Sequence, residues 1–455
     1  MIIDLTSNIG RFEKPLVLTE SSGMVEKPWV TVIVGENGTQ KSLLLRSIVR
    51  NLSGVAANRL NIAGTVSQVI ALSGTPLDRF PRPMSGSRKP DAVRYTYFGQ
   101  RAANGVAGTG QSERGLAGVL IANRGRLKET KDELERVFGQ LGLKPWLRVA
   151  FKVASRFSYK QSMDREHIIT RIQHYLELPL AAQAPAQDRR DYKFAANFLA
   201  TAESERKLFD VLDQLQTNLC SITLSPAKNS VSKDTFPVSV WRALLEAGVI
   251  DVDSTQFQTT GKQWSDRVIP GDHLSSGQWS WLCTLSGLAV QATDDSVILV
   301  DEPENSLHPA WQRDYIPTLL AILERTKRCH VLVATHAPLI ASGLPPDSGN
   351  VRRLRREVKE NGNAVVSSTE AVNTFGWSAS DAYEALFQLE TTRAKLFNKE
   401  AMSALEMVKN RSETMDKRLA TAKALREHCA ALLPLDPMRQ VLENIAWSLE
   451  MKRER

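Results

Sequence analysis

The chain has 455 residues, of which 42% are hydrophobic and 24% charged, a balance typical of a folded globular protein of two or three lobes. No apolar run reaches the ~18–20 residues that a membrane span needs, and a strand-like segment follows Met1 instead of a secretory leader, so we expect a cytoplasmic protein without a membrane partner. The net charge of +8 only mildly favours a polyanionic partner, and four separated cysteines without a CxxC pair argue against a disulfide framework or a zinc ribbon.

Short runs rich in β-branched and aromatic residues predict the strands of an α/β domain in two separated parts of the sequence. In the first part, helix-forming residues begin at Lys41 or Ser42, directly after a glycine-containing turn. Between the two parts, Leu, Ala, Glu, Lys and Arg dominate from about 115 to 219, which predicts an inserted helical lobe. The predicted strands cover residues 29–34, 66–72, 93–98, 297–300 and 331–334.

The C-terminal part of the sequence predicts a hairpin followed by helices. The hairpin, at about 351–368, carries the basic cluster Arg352, Arg353, Arg355 and Arg356. A second basic cluster lies between Arg79 and Arg101, and either cluster could contact phosphates or form an ordinary solvated face. Beyond 378, apolar residues at helical spacing predict helices to the end of the chain.

Residues 35–42 read GENGTQKS and lie between a predicted strand and a predicted helix, which is the context that a P-loop requires. The N–H groups of such a loop, together with the start of the following helix, form an anion-binding nest. Lys41 would pair with the β- and γ-phosphates, and the Ser42 hydroxyl would bind Mg²⁺. Gln40 departs from the GxxxxGK[ST] pattern, which has glycine there, and we expect its Cβ to crowd the phosphate site.

The sequence SVILVDEP, residues 296–303, is an apolar strand that ends in two acids, as in a Walker B motif. Asp301 would hold Mg²⁺ through water, and Glu302 would polarise the attacking water. A solvated acidic turn after a strand is the alternative.

Three further candidates lie at the ends of predicted elements. The sequence LSSGQ, residues 274–278, precedes a helix, so its small hydroxyl residues suit either a phosphate or an ordinary helix cap at Ser275 or Ser276. His336 follows a strand in VLVATHAP, and Gln100 follows the strand at 94–98. Each of these alone would usually be structural.

The order of P-loop, Gln, LSSGQ, Asp-Glu and His resembles that of ATP-binding-cassette (ABC) ATPases. DEPENSLHP, residues 301–309, and GENGT, residues 35–39, resemble the RecF-like, SMC-like and OLD-family branch more than transporter cassettes. The tail TFGWSASDAYEALF, residues 374–387, is similar to tails of ATPases from bacterial antiphage systems such as Septu, retron-associated ATPases and PARIS.

This resemblance implies an α/β fold, namely an ABC-type P-loop ATPase cassette with a helical insertion and a helical C-terminal region. Residues 1–114 and 226–375 would form the two halves of the cassette, with the insertion at 115–225 and the C-terminal helices at 376–455. The insertion is too short and too often broken by glycine and proline for a long coiled-coil rod.

The resemblance also implies ATP and Mg²⁺ as cofactors, held between two cassettes in a head-to-tail homodimer or higher homo-oligomer, with residues 305–308 as the D-loop at the interface. The implied catalytic residues are Glu302, His336 and Gln100. The implied Mg²⁺ ligands are Ser42, Asp301 and Gln100. The implied nucleotide contacts are Asn37, Gly38, Thr39, Gln40, Lys41 and Ser42, with Ser275 and Gly277 supplied by the other subunit.

Three functions follow from these expectations. The main hypothesis is a slowly hydrolysing ATPase that acts as sensor or regulator in an antiphage complex with a separate effector, for which a nuclease is the leading candidate. The alternatives are a RecF- or SMC-like repair or chromosome-handling ATPase that binds DNA directly, and a degenerate nucleotide-binding scaffold without turnover. The C-terminal helices carry no Asp-x-Asp or clustered His and Asn of a nuclease, since Asp436 and His428 stand apart.

Overall fold

The computed structural model describes most of the chain with several gaps. The described residues are 2–6, 16–19, 26–54, 59–75, 77–81, 93–99, 109–159, 162–163, 165–177, 186–217, 220–227, 230–231, 236–261, 267–358, 360, 364–389, 391–410 and 413–451. They fall into two compact units, Met1–Phe387 and Gln388–Arg455.

The strands lie in the first unit. They are β1 (Ile2–Thr6), β2 (Leu16–Val17), β3 (Trp29–Val34), β4 (Arg59–Ile62), β5 (Gln68–Ser73), β6 (Arg94–Phe98), β7 (Leu143–Val153), β8 (Ser158–Tyr159), β9 (Ser162–Met163), β10 (Cys220–Leu224), β11 (Ser230–Val231), β12 (Ile250–Thr259), β13 (Val268–Pro270), β14 (Ser296–Asp301), β15 (His330–Thr335), β16 (Gly349–Val358) and β17 (Ala364–Ala371).

Helices occur in both units. They are α1 (Lys41–Leu52), α2 (Thr109–Ala122), α3 (Lys131–Gly139), α4 (Arg165–Glu177), α5 (Ala186–Leu199), α6 (Ala202–Thr217), α7 (Val238–Ala247), α8 (Ser276–Gln291), α9 (Pro309–Leu323), α10 (Pro338–Ala341), α11 (Ala379–Phe387), α12 (Lys395–Asn410), α13 (Met415–Ala431) and α14 (Pro437–Glu450). Among the described residues, no helix is both long enough and apolar enough to cross a bilayer.

The centre of the first unit is a seven-stranded sheet with the order β17-β16-β3-β15-β14-β5-β6. Its neighbouring strands are parallel except for the β16–β17 hairpin, which is antiparallel. Because β3, β15 and β14 are parallel neighbours, their carboxyl ends meet at one edge of the sheet. The residues that follow these three strands are therefore brought together, although the strands are far apart in the sequence.

Both faces of this sheet are covered, which is why its central strands are apolar at nearly every position. Side chains alternate between two cores. In β3, Val30, Val32 and Val34 face a core that contains α8, whereas Ile33 faces a second core that contains α1. The P-loop helix α1 is amphipathic and contributes its buried face, including Leu44, to this second core.

Residues 115–225, predicted as a helical insertion, are mostly helical but also carry the 11-residue strand β7 and the strand β10. These join an antiparallel sheet of order β11-β10-β7-β12-β13. In β7, Leu147, Val149, Phe151 and Val153 alternate with less buried residues, as expected for a strand with one face on a core. The helix-rich composition concealed this two-residue period. The boundaries at 114 and 225 stay predictions.

The second unit contains α12, α13 and α14. Its core is a cluster that includes Ala404, Leu425, Ala446 and Leu449. This agrees with the helical C-terminal region predicted from the apolar spacing of the sequence, although α11 belongs to the first unit.

Candidate nucleotide-binding site

The segment GENGTQKS lies between β3 and α1, as the sequence predicts: residues 35–40 form the loop, and Lys41 and Ser42 begin the helix. Within it, Lys41 is buried, and its Nζ donates to the carbonyl oxygens of Gly35 at 2.8 Å and Glu36 at 3.2 Å. The Thr39 hydroxyl also donates to the Glu36 carbonyl, at 2.8 Å. The loop thus closes around the lysine ammonium, while Asn37 and Gly38 lie exposed at its tip.

Burial lowers the pKa of Lys41 to about 8, although the nearby carboxylates of Glu302, Glu304 and Asp301 act to raise it. A cation removed from water in this way is stabilised by any anion that takes the place of the lost water. The triphosphate of a nucleotide would supply such an anion, which is the role predicted for Lys41.

Gln40 adopts the left-handed conformation, with φ 68° and ψ 26°, at the N-cap of α1. A residue with a Cβ pays about 1 kcal/mol or more for this backbone conformation, whereas glycine adopts it freely. The structure therefore gives a physical reason for the glycine that P-loops usually have here. The difficulty predicted for Gln40 therefore has a backbone component, and the crowding of the phosphate site by its Cβ stays a prediction.

Ser42 and Asp301 are 259 residues apart in sequence and meet at the edge of the sheet. The Ser42 hydroxyl donates to Asp301 Oδ1 at 3.0 Å. Burial raises the pKa of Asp301 to about 7; the Ser42 hydrogen bond opposes this, and the charges of Glu302, Asp78 and Glu304 add to it. A buried carboxylate among other acids favours a cation at this point.

The Ser42–Asp301 pair fits Mg²⁺, which prefers hard oxygen ligands and commonly takes one or two from protein and the rest from phosphate and water. Within the described residues, no group of three or more His, Cys, Asp or Glu side chains forms a ready-made metal site. Phosphate and water oxygens would complete the coordination shell.

Glu302 also adopts a left-handed backbone conformation, with φ 47°. Its N–H donates to the Ala334 carbonyl at 2.9 Å, and the Asn305 side-chain amide donates to its Oε2 at the same distance. Strained backbone at a carboxylate next to a phosphate loop is typical of a functional position. The first bond holds the backbone of Glu302 at the end of β14, and the second orients its carboxylate.

His336 follows β15 and lies between the lysine and this carboxylate. Its Nδ1 is 3.4 Å from Lys41 Nζ, and its Nε2 is 3.8 Å from Glu302 Oε1. Burial lowers the pKa of His336, and the Lys41 charge lowers it further, against the effect of Glu302. A neutral imidazole whose Nδ1 accepts from the lysine carries its proton on Nε2, on the side of Glu302.

Glu304 has no predicted role, but the structure makes it the group that ties the Walker B segment to His336. One carboxylate oxygen accepts from the backbone N–H of His336, and the other accepts from the Thr335 hydroxyl at 2.9 Å. Burial raises its pKa, although these hydrogen bonds oppose the change. The sequence signal for Glu304 was its position three residues after Asp301 in DEPENSLHP. Its contact with the end of β15 could not be predicted, because that strand is about 30 residues away in the sequence.

Ser275 and Gly277 lie at the start of α8. Ser275 caps the helix: its Oγ accepts from the Gln278 N–H, and the Gln278 side chain accepts from the Ser275 N–H in return. Gly277 packs so closely on the D-loop segment that a Cβ there would lie 2.1 Å from the Ser306 carbonyl oxygen. The predicted alternative, an ordinary helix cap, is therefore observed at Ser275. Both Ser275 and Ser276 are exposed.

Some predicted residues lie elsewhere. Gln100 is outside the described residues, as are most of the basic residues between Arg79 and Arg101. In the second unit, Asp436 caps α14 and forms an ion pair with Arg393, and His428 lies 3.5 Å from Glu400.

A parallel sheet with a P-loop after an inner strand, a Walker B acid pair at the end of a nearby strand and a histidine after the strand between them defines an ABC-type P-loop ATPase cassette. A family model described as "AAA domain, putative AbiEii toxin, Type IV TA system" matches residues 30–342, which is more than half of the chain. The chain belongs to this family of AAA-type domains, so a nucleotide-binding site is the family's feature and not only a local motif.

Two solved structures are similar to this chain at low identity. One is cbiO1 of Clostridium perfringens, described as part of the ABC transporter complex cbiONQ, at 12% identity over 71% of this chain and 72% of that one, with a TM-score of 0.23. The other is UvrA2 of Deinococcus radiodurans, at 12% identity over 84% of this chain but only 39% of UvrA2, with a TM-score of 0.30. No curated protein matches the chain.

Proposed function

We propose that the chain binds ATP with Mg²⁺ at residues 35–42 and hydrolyses it slowly, so that the nucleotide state serves as a signal. The observation that carries this proposal is the meeting of three sequence-distant segments at one sheet edge. Lys41 and Ser42 of the P-loop lie 3.4 Å from the His336 imidazole and 3.0 Å from the Asp301 carboxylate, respectively. Glu302 completes the group at 3.8 Å from His336.

Each residue would then have a distinct task. Lys41 neutralises the phosphates, and Ser42 and Asp301 hold Mg²⁺, which would offset negative charge on the phosphoryl group. Glu302 would orient and polarise the attacking water. His336, held by the hydrogen bond from its backbone N–H to Glu304, would fix the position of the Glu302 carboxylate and of the γ-phosphate. The strained backbone at Gln40 would weaken the binding of phosphate by the loop, so that ATP affinity and turnover stay low.

The direct test is to compare ATP binding and phosphate release for the parent chain and Lys41→Ala. We expect the variant to lose measurable binding, because no other ammonium lies inside the described loop. If Lys41→Ala binds ATP as the parent does, nucleotides do not use this loop.

The exposed position of Ser275 and Ser276 supports a head-to-tail dimer, because hydroxyls at the free end of α8 are available to the phosphate held by a second chain. Light scattering of Glu302→Gln with ATP and Mg²⁺ tests this. We expect an ATP-dependent dimer that Ser275→Arg prevents and that the parent forms only transiently. A mass that does not depend on ATP would contradict the sandwich.

We further propose a regulatory role in an antiphage complex with a separate effector protein. The resemblance of DEPENSLHP and of the 374–387 tail to ATPases of antiphage systems supports it. Co-purification with the products of neighbouring genes tests this role. We expect a partner that cuts nucleic acid when triggered, while the isolated chain leaves DNA uncut in Mg²⁺ and ATP. Metal-dependent cutting by the isolated chain, lost in Asp436→Ala or His428→Ala but not in Lys41→Ala, would overturn this division of labour.

A further inference from the structure

Strand β16 continues past the end of β3 and runs beside the P-loop. In the parallel register, Arg353 pairs with Val34, the last residue of β3. One residue further, the Leu354 carbonyl oxygen lies 2.7 Å from the point that a Cβ on Gly35 would occupy. Among the described residues, no strand pairs on this side with the part of β16 after Leu354, and the P-loop begins beside it at Gly35.

The arginines of β16 point alternately to the two faces of the sheet. Arg353 faces α11, where its guanidinium donates to the Ala385 carbonyl. Leu354 faces the core that contains α1. Arg355 consequently shares the side of Arg353, and its charge contributes to the lowered pKa of Arg353, whereas Arg356 shares the side of the P-loop helix.

Arg356 reaches the tip of the P-loop. Its Nη1 lies 3.9 Å from the point that a Cβ on Gly38 would occupy. Both residues are exposed, and Gly38 has a positive φ of 81°, as a loop that turns its N–H groups toward an anion commonly requires. Within the part of the chain that the structure describes, no carboxylate pairs with Arg356. Arg352, four residues earlier on the same side, is by contrast buried and bonded to Ser368.

We propose that Arg356 is a second cationic ligand for the nucleotide, donating from its guanidinium to phosphate oxygens at the exposed tip of the P-loop while Lys41 acts from the buried end. The inference rests on the proposed ATP site and adds a residue from the hairpin to it. The planar guanidinium presents paired N–H donors that match phosphate geometry, and such charge-assisted bonds are stronger than neutral ones. This assigns Arg356 of the basic cluster to the nucleotide and not to a nucleic-acid backbone.

Calorimetric titration with the non-hydrolysable analogue AMPPNP and Mg²⁺ tests the assignment. We expect Arg356→Ala to raise Kd about tenfold and Arg356→Lys to raise it less, because lysine keeps the charge but loses the fork. Arg355→Ala is the matched control: it removes an adjacent arginine from the opposite face and should leave Kd within about twofold. The Arg356→Ala defect should shrink with added salt, since exposed charges are screened. Circular dichroism melts of the variants check that each is folded.

Three outcomes separate this inference from the proposed function. If Arg356→Ala binds AMPPNP as the parent does while Lys41→Ala does not bind, the ATP site stands and the role of Arg356 is wrong. Equal losses of AMPPNP affinity in Arg355→Ala and Arg356→Ala would also overturn the role of Arg356. The affinity would then depend on the overall positive charge of the hairpin and not on a contact of Arg356. If the parent does not bind AMPPNP, the proposed function fails first.

Discussion

Replacing Asp301 by Asn should stabilise the chain in the absence of Mg²⁺ and nucleotide, although it removes a Mg²⁺ ligand. The Asp301 pKa is raised from 3.8 to about 7, chiefly by burial, so the folded state binds a proton that the unfolded state has already released. The contribution of Asp301 to the free energy of unfolding is therefore greatest below about pH 4 and falls as the pH rises to 7. About three pH units at roughly 1.4 kcal/mol each give a penalty of about 4 kcal/mol at pH 8 and about 1.5 kcal/mol at pH 5.

Asparagine is never charged, and its side-chain oxygen can still accept from the Ser42 hydroxyl. The variant therefore avoids the free-energy cost of a buried charged carboxylate. Urea unfolding in EDTA, followed by tryptophan fluorescence at pH 5 and pH 8, should show a higher midpoint for Asp301→Asn and a larger gain at pH 8. Asp191→Asn is the control of opposite sign, because the hydrogen bonds and charges of Arg124 and Arg242 lower the pKa of Asp191 despite its burial. That variant should lose stability. A destabilised Asp301→Asn, or a gain that does not grow with pH, would refute the reasoning.

Three further variants test the rest of the site. Glu302→Gln should slow phosphate release by about 10²–10⁴-fold while keeping ATP binding, and unchanged turnover would remove Glu302 from the catalytic role. Gln40→Gly should relieve a left-handed backbone worth about 1 kcal/mol and raise ATP affinity or turnover, whereas Gln388→Gly, at an exposed left-handed residue with φ 55°, should change neither. Glu304→Gln should lower kcat about tenfold with little change in Kd for ATP, because its NH₂ group cannot accept the bond that the carboxylate oxygen accepts. In the double variant Glu304→Gln/His336→Ala, the loss of kcat in free-energy terms should be smaller than the sum of the two single losses. Additive losses would show that Glu304 does not act through the histidine.

The sequence predicted the strands around the site because their signals are local. Residues 29–34 are predicted as a strand and form β3 without any shift, and the strands predicted over 297–300 and 331–334 lie inside β14 and β15. Each is a short, mostly apolar run that is buried on both faces and bounded by polar, glycine or proline residues, so its strand signal does not depend on its neighbours in the sheet. The P-loop and the acid pair are recognisable for the same reason. The strand β7 escaped prediction because its two-residue period lies in a helix-rich stretch.

The amino-acid sequence by itself determined which segments are candidates for phosphate and metal binding, since the GENGTQKS loop and the Asp301–Glu302 pair are contiguous patterns. Only the tertiary structure decided which segments meet. The strand order places β15 between β3 and β14, which brings His336 to Lys41 and joins Glu304 to the His336 backbone. The parallel register of β16 on β3 likewise carries Arg356 to Gly38, more than 300 residues away in the chain. Pairings of this kind depend on the free energy of the whole folded sheet and on the handedness of its crossovers, and no short window of sequence contains that information.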